Sequence, residues 1–364
     1  MNSLDLLKDL TQAFGPAGFE DQVITVAKQY LTGTTTEDNT RNLYINLPTS
    51  EEKLKYYEPR PARTKPRVLI DAHMDEVGMI THYINPNGTI AFMPIAGFVA
   101  ASLVAQKVVI QNTKGELVTG IIVSKPPHFS KPGDKTAVEI SDLTIDVGAS
   151  SREEVENTYH IRQGCPIAPS TAFEYNDKNG LMLSKAFDCR IGVAAAIEVL
   201  NWATANPPAD IEVVGALSTQ EEIGLRGAKV TANRVAPDIA IVFEGTPADD
   251  TIAAPHMVQT AMGKGPMLRH VDSSMITNPR YQRFALELAK KLDIPVQDAV
   301  RNGGGTNGGA IHLTGYGIPV IVIGVPVRYI HTHHCFASLA DYQNAIKLAQ
   351  AVISELNEGV IECF

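Results

Sequence analysis

Residues 67–80 read RVLIDAHMDEVGMI. The apolar run reads as a buried strand, and it ends in polar residues, His73, Asp75 and Glu76. Downstream the texture changes. From about 81 to 164 come short β-rich runs, TIAFMPI, KVVIQNT, LVTGIIVS and LTIDVGA. The segments NPNG, NTKGE and SKPPHFSKPGDK separate them, a close spacing that signals all-β structure. After about 165 strand and helix patterns alternate, in GVAAAIEVLNWATA, IEVVGALST, IAIVFEG, YQRFALELAKKL, PVIVIGVP and LADYQNAIKLAQAVISEL. That alternation implies a sheet covered by helices. Upstream, 3–13 and 20–32 carry apolar residues at helical spacing, with GPAG between them. Residues 50–66 are polar and proline-containing and read as an exposed loop. The simplest architecture is an α/β domain built from 1–80 and 165–364, interrupted by a small β domain at 81–164.

Bulk properties bound the function. The chain has 364 residues, 44% hydrophobic, 20% charged and 6% aromatic, an ordinary globular composition with room for a sizeable core. A formal net charge of −9 argues against nucleic acid or an anionic membrane as the main partner. The four cysteines, Cys165, Cys189, Cys335 and Cys363, match neither a metal-binding CxxC nor a disulfide framework, so they read as reduced thiols. The N-terminus shows no basic, apolar leader, and no run of about 18 apolar residues suggests a membrane span. A cytoplasmic location is expected.

Several polar residues sit where chemistry would. His73 and Asp75 are two apart, so in a strand they share a face. Asp188 and Arg190 stand at a strand-to-helix junction, where Asp is also a plain helix cap. Glu221 and Glu222 follow the strand that ends near Ser218. A buried, unpaired carboxylate pair is costly or strongly pKa-shifted, and a cation between the two removes that difficulty. Glu244 closes another apolar strand, and His331, His333 and His334 follow a third. Open α/β sheets bind ligands beyond the carboxyl ends of their strands. His73, Asp188, Glu222, Glu244 and His331 together make an N/O donor set suited to Zn²⁺, Co²⁺ or Mn²⁺.

The chain resembles the M42 metallopeptidases, dinuclear-metal aminopeptidases that form large hollow assemblies. The resemblance runs nearly end to end, through GPAGFE, DAHMDEVG, GIIVSKPPH, LTIDVGASSREE, FDCRIG, TQEEIGLRGA, GKGP, GGGTNGGAI and GVPVRYIH, in order and with intact spacing. It implies a zinc-peptidase-like mixed sheet flanked by helices, and an inserted barrel-like β domain at 81–164 that dimerises, the dimers assembling to a dodecamer. It implies two divalent ions per subunit, Zn or Co with Mn as an alternative. His73, Glu222, Glu244 and His331 would be ligands, Asp188 the bridging carboxylate, Asp75 the partner that orients His73, and Glu221 the general base. The activity implied is removal of N-terminal residues from short peptides. Two alternatives stay open: a dinuclear amidase or deacylase acting on blocked or non-peptide substrates, and a non-catalytic assembly homologue.

Four positions depart from the family pattern. Glu244 stands for the usual Asp, Cys189 for a frequent second acid, Asn307 for a common Asp, and HTHHC for His-Ser-x-x-Glu, which puts Cys335 in the Glu place. His333 and His334 are read as structural or pocket-lining, and Cys189 and Cys335 as small packed thiols. Arg226, Lys264, Arg269 and Arg301 are candidates for a basic substrate pocket. His128 is either structural or directed toward a neighbouring subunit.

Overall fold

The structure, a computed structural model, describes residues 2–51, 54, 61–125, 127–129 and 138–364. Most of the expected 50–66 loop, and most of SKPPHFSKPGDK, lie outside the described residues.

Four parallel strands form the centre of an 11-stranded mixed sheet, in the spatial order Glu212–Ser218, Arg67–His73, Ile239–Pro247, Val320–Arg328. Alternate residues of these strands feed two cores. Val68, Ile70 and Ala72 join one core with the helices Ser3–Gln12, Asp21–Tyr30, Phe187–Ala205, Pro279–Lys291 and Leu339–Glu355. Leu69, Val214, Ala216, Ala240 and Val242 join the other, against Arg226–Val235 and Gly308–Ile311. Cover on both faces explains the unbroken apolar runs, and each buried Val, Leu or Ile contributes roughly 1.5–3 kcal/mol. The Phe187–Ala205 helix packs closely on the sheet because Gly192 has no side chain; a Cβ there would lie 3.1 Å from the Phe243 carbonyl group.

The second unit is a closed barrel. Its strands run Gly78–Ile84, Ile90–Ile95, Thr144–Asp146, Leu117–Val123, Lys107–Gln111 and Pro166–Pro169, back to the first. Met79, Ile90, Phe92, Val108, Ile110, Ile122, Ile145 and Ile167 fill it. This is the mixed, helix-flanked sheet with an inserted barrel expected from the sequence.

Details differ from the sequence reading. RVLIDAHMDEVGMI is two strands, not one: the sheet strand ends at His73 and the barrel strand starts at Gly78. The Met74 N–H still donates to the Ser218 carbonyl at 2.7 Å before the chain leaves the sheet. Glycine is required at the crossing, because a Cβ on Gly78 would come within 2.6 Å of Pro16 and 2.8 Å of the Ile167 carbonyl oxygen. Glu244 lies inside its strand, opposite Gly324, and not at the end. Asp188 sits in the irregular first turn of its helix, with ψ 111°.

Candidate metal and active site

The residues converge at the carboxyl ends of the parallel strands. His73 is the last residue of its strand, and its neighbour Ser218 ends the adjacent one. The chain then turns at Gln220, whose φ of 56° lies in the left-handed region, and presents Glu221 and Glu222. His331 follows its strand in a turn and is also left-handed, at φ 59°. Such conformations cost free energy in non-glycine residues and gather at functional sites.

Asp188 is the hub. Its Oδ1 lies 3.0 Å from His73 Nε2 and its Oδ2 3.2 Å from His331 Nε2. His73 Nε2 is also 3.3 Å from Glu244 Oε1 and 3.9 Å from Glu221 Oε2. His331 Nε2 is 3.4 Å from Glu222 Oε2. The donors thus fall into two groups sharing Asp188: His73, Asp188, Cys189 and Glu244, and Asp188, Glu222 and His331.

The tautomers follow from the other ring nitrogen. His73 Nδ1 donates to the Asp75 carbonyl at 3.1 Å, and His331 Nδ1 donates to the Gly97 carbonyl at 3.0 Å. A carbonyl only accepts, so each Nδ1 carries the proton. In the neutral ring each Nε2 then turns a lone pair toward carboxylate oxygens, which also only accept. A proton on Nε2 resolves each conflict in the metal-free protein, and a metal ion in its place would do the same.

Asp75 organises the acid pair. Its Oδ1 accepts from the Glu221 N–H at 2.9 Å and its Oδ2 from the Glu222 N–H at 3.0 Å, while Oδ1 stands 3.4 Å from His73 Nδ1. Asp75 therefore reaches His73 more closely through its backbone carbonyl than through its carboxylate.

Electrostatics record the crowding. Burial, then the neighbouring carboxylates, hold Glu221 and Glu222 well above the usual carboxylate range, and burial raises Glu244. Burial opposes ionisation of Asp188 as well, but hydrogen bonds from His331 and His73 prevail and depress it. Burial also disfavours a charged His73, yet the surrounding Cys189, Glu221, Glu244 and Asp188 raise it well above its ordinary value. Burial pushes the Cys189 thiol up strongly. Among the described residues no Lys or Arg forms an ion pair with Asp188, Glu221, Glu222 or Glu244. Glu222 Oε1 is buried without a hydrogen-bond partner. Four carboxylates sharing two imidazoles, with an orphaned oxygen, fit divalent cations.

Other expected residues separate. Arg269 and Arg301 line a cavity of ≈ 600 Å³ over the site, together with the glycines 303–305. Both arginines are engaged, Arg269 with Asp272 at 3.0 Å and Arg301 with Asp249 at 2.9 Å. Arg226 and Lys264 are exposed and do not line it. Asn307 lies under the sheet, where its Nδ2 donates to Asp71 Oδ1 at 2.6 Å. His333 is buried and held neutral, burial lowering it to about 4, while His334 is exposed beside Gln106. Cys335 donates to the Tyr329 carbonyl at 3.4 Å, outside both donor groups. His128 lies in an exposed turn of the barrel unit.

Sequence reasoning missed the Gly97 carbonyl, which as a backbone group carries no residue signal. It also missed Glu20, which accepts from the Gly18 and Gln220 N–H groups and is raised by burial and Asp75 to about 7.

A profile of the M42 glutamyl aminopeptidase family matches residues 56–348. The chain belongs to the M42 family. It is 30% identical to a glutamyl aminopeptidase of Lactococcus lactis, covering 98% of this chain and 97% of the relative. It is 33% identical to a lysyl aminopeptidase of Pyrococcus furiosus, covering 80% and 82%. Among solved structures it is similar to a TET aminopeptidase from a marine sediment thaumarchaeote, with 37% identity, TM-score 0.90 and 99% of both chains covered. It is also similar to the TET1 peptidase of Pyrococcus horikoshii, described as able to assemble into a tetrahedron or a large octahedral shell, with 27% identity, TM-score 0.84 and coverage of 98% and 100%. This M42 protein is therefore an enzyme, a hydrolase of the aminopeptidase type acting on peptides. M42 metallopeptidases use divalent metals, and the donor cluster is suited to them.

Proposed function

We propose that this M42 enzyme removes N-terminal residues from short peptides at a centre of two divalent ions, Zn or Co with Mn as an alternative. His73 and Glu244 would hold one ion, Glu222 and His331 the other, and Asp188 would bridge them. The observation that carries the reading is the pair of imidazoles, each with Nδ1 on a carbonyl and Nε2 on a different oxygen of Asp188. When bound, such ions lower the pKa of a water toward neutrality and polarise the scissile carbonyl.

Glu221 is the general base. Its carboxylate lines the cavity beside the donor groups without belonging to either, which suits a group that takes a proton from attacking water and returns it to the leaving amine. Asp75 fixes the backbone of both acids by accepting from their N–H groups. The cavity has the volume of a small-ligand site.

The inserted β domain, expected at 81–164 and formed by barrel strands that run from Gly78 to Pro169, would dimerise, with the rest of the chain carrying catalysis. Exposed Tyr83, Met93, Leu117 and Ile121 on barrel strands support a contact role, and the dimers would assemble further, to a dodecamer. No described helix is long and apolar enough to cross a membrane, and the proposed location is the cytoplasm.

The test is amino-acid release from free and N-acetylated short peptides with Zn²⁺ or Co²⁺ present. Release from free peptides only, abolished in Glu221→Gln, is expected. Cleavage of blocked peptides at equal rates would move the enzyme to the deacylase class, and inert wild type on every substrate would defeat the reading.

A further inference from the structure

One donor at the site comes from none of the five proposed ligand positions. Cys189 is fully buried, and its Sγ belongs to the group in which donor atoms of His73, Asp188, Cys189 and Glu244 all lie within 4.8 Å of one another. Its place is built. A Cβ on Gly192 would come 2.4 Å from the Sγ, so the glycine one helical turn on leaves the room that the sulfur fills. The thiol donates to the Phe243 carbonyl at 3.4 Å and also meets the Glu244 carboxylate, a member of the same donor group. The buried, unpartnered Oε1 of Glu222, in the adjoining group that shares Asp188, independently points to cations in this cluster.

We propose that Cys189 is a sulfur ligand of the ion held on the His73 side. The proposal rests on the dinuclear reading above. It makes the two positions chemically unequal. The His73 side offers one sulfur, one imidazole nitrogen and two carboxylates; the His331 side offers only nitrogen and oxygen. A coordinating thiol gives up its proton to solvent as the ion binds. Thiolate favours Zn²⁺ and Co²⁺ over Mn²⁺, and the sulfur side is therefore the zinc-selective one.

The experiment uses the full chain loaded with zinc or with cobalt. X-ray absorption at the zinc edge of the wild type should show a sulfur neighbour at about 2.3 Å beside nitrogen and oxygen at about 2.0–2.1 Å. The cobalt protein should show a sulfur-to-cobalt charge-transfer band in the near ultraviolet. That band should vanish in Cys189→Ser and Cys189→Ala and persist in Cys335→Ser. Zinc preference over manganese in competitive dialysis should fall about tenfold or more in both Cys189 variants. The wild-type zinc measurement stands alone if the variants do not fold. Two bound cobalt ions with ligand-field bands but no sulfur neighbour would overturn the sulfur assignment and leave the dinuclear reading intact. A band that survives in Cys189→Ala would also overturn it. Protein that takes up no metal would overturn both.

Discussion

The strand Arg67–His73 has a buried charged group at each end, and the two ends are built on opposite plans. At its start the Arg67 guanidinium is fully buried and matched. It donates to Glu51 through both terminal nitrogens, at 2.9 and 2.7 Å, to Glu212 at 2.7 Å and to the Val235 carbonyl at 2.7 Å. At its end the carboxylates of Asp188, Glu221, Glu222 and Glu244 crowd around two imidazoles. A cavity of ≈ 590 Å³ lies over the first end and one of ≈ 600 Å³ over the second, so cavity size does not separate them. Direct pairing does. The Arg67 guanidinium meets a carboxylate or carbonyl through each of its three nitrogens, whereas among the described residues no Lys or Arg pairs with the four carboxylates at the other end. Buried charge that its own neighbours do not neutralise is therefore the better marker of function in this molecule.

The contrast can be broken by substitution. At the unmatched end, Glu221→Gln should lower turnover on short peptides by about 10²–10⁴-fold while leaving the metal content unchanged. Steady-state kinetics with elemental analysis of the same sample check this, and parallel loss of metal would merge the roles of the two acids. At the matched end, Arg67→Met should destabilise the fold by about 3–5 kcal/mol, because buried Glu51 loses its two-pronged guanidinium contact and half-buried Glu212 loses its hydrogen bond. The denaturant midpoint reports it, and activity per folded molecule should stay unchanged.

Glu222→Gln should have the opposite sign in metal-free protein. Removing one of several crowded carboxylates should raise the stability of the metal-free chain by about 1–2 kcal/mol, while metal affinity falls. Thermal unfolding with and without chelator checks it; destabilisation of the metal-free variant would show that the cluster is balanced after all.

A further effect, of similar size, concerns pH. Glu20 has its folded pKa raised to about 7 from an ordinary 4.5, so its contribution to stability is full below pH 4.5 and is lost as pH rises through 7. Wild type should therefore lose stability relative to Glu20→Gln between pH 5 and 8, by about 2 kcal/mol. Parallel pH profiles for the two proteins would remove Glu20 from the unmatched end.

Much of this contrast was legible in the residue order. Strands covered on both faces betray themselves as apolar runs, and His73, Glu221, Glu222 and His331, at or beyond their ends, line one cavity. The short flanking strands were not legible. Thr35–Glu37 and Glu174–Asn176 have no buried residue, and so no apolar pattern. Cys335–Ser338 hid behind a histidine-rich turn, of which His331 alone reads as a ligand and His331 alone lies in a donor group. The matched end gave no signal either, because Glu51, Arg67, Glu212 and Val235 are far apart in sequence and share no motif. Cys189 read as packing because its role depends on an irregular helix start, at φ −111° and ψ 32°, that composition does not reveal.

The central claim is that the unmatched end is completed by two divalent ions. The direct measurement is the metal content per chain of purified wild type and Glu222→Gln after exhaustive dialysis, with peptide turnover recorded on the same samples. The account predicts two ions per chain in wild type, one or fewer in Glu222→Gln, and turnover that falls with the lost ion. Full turnover in wild type stripped of metal by a chelator would contradict it.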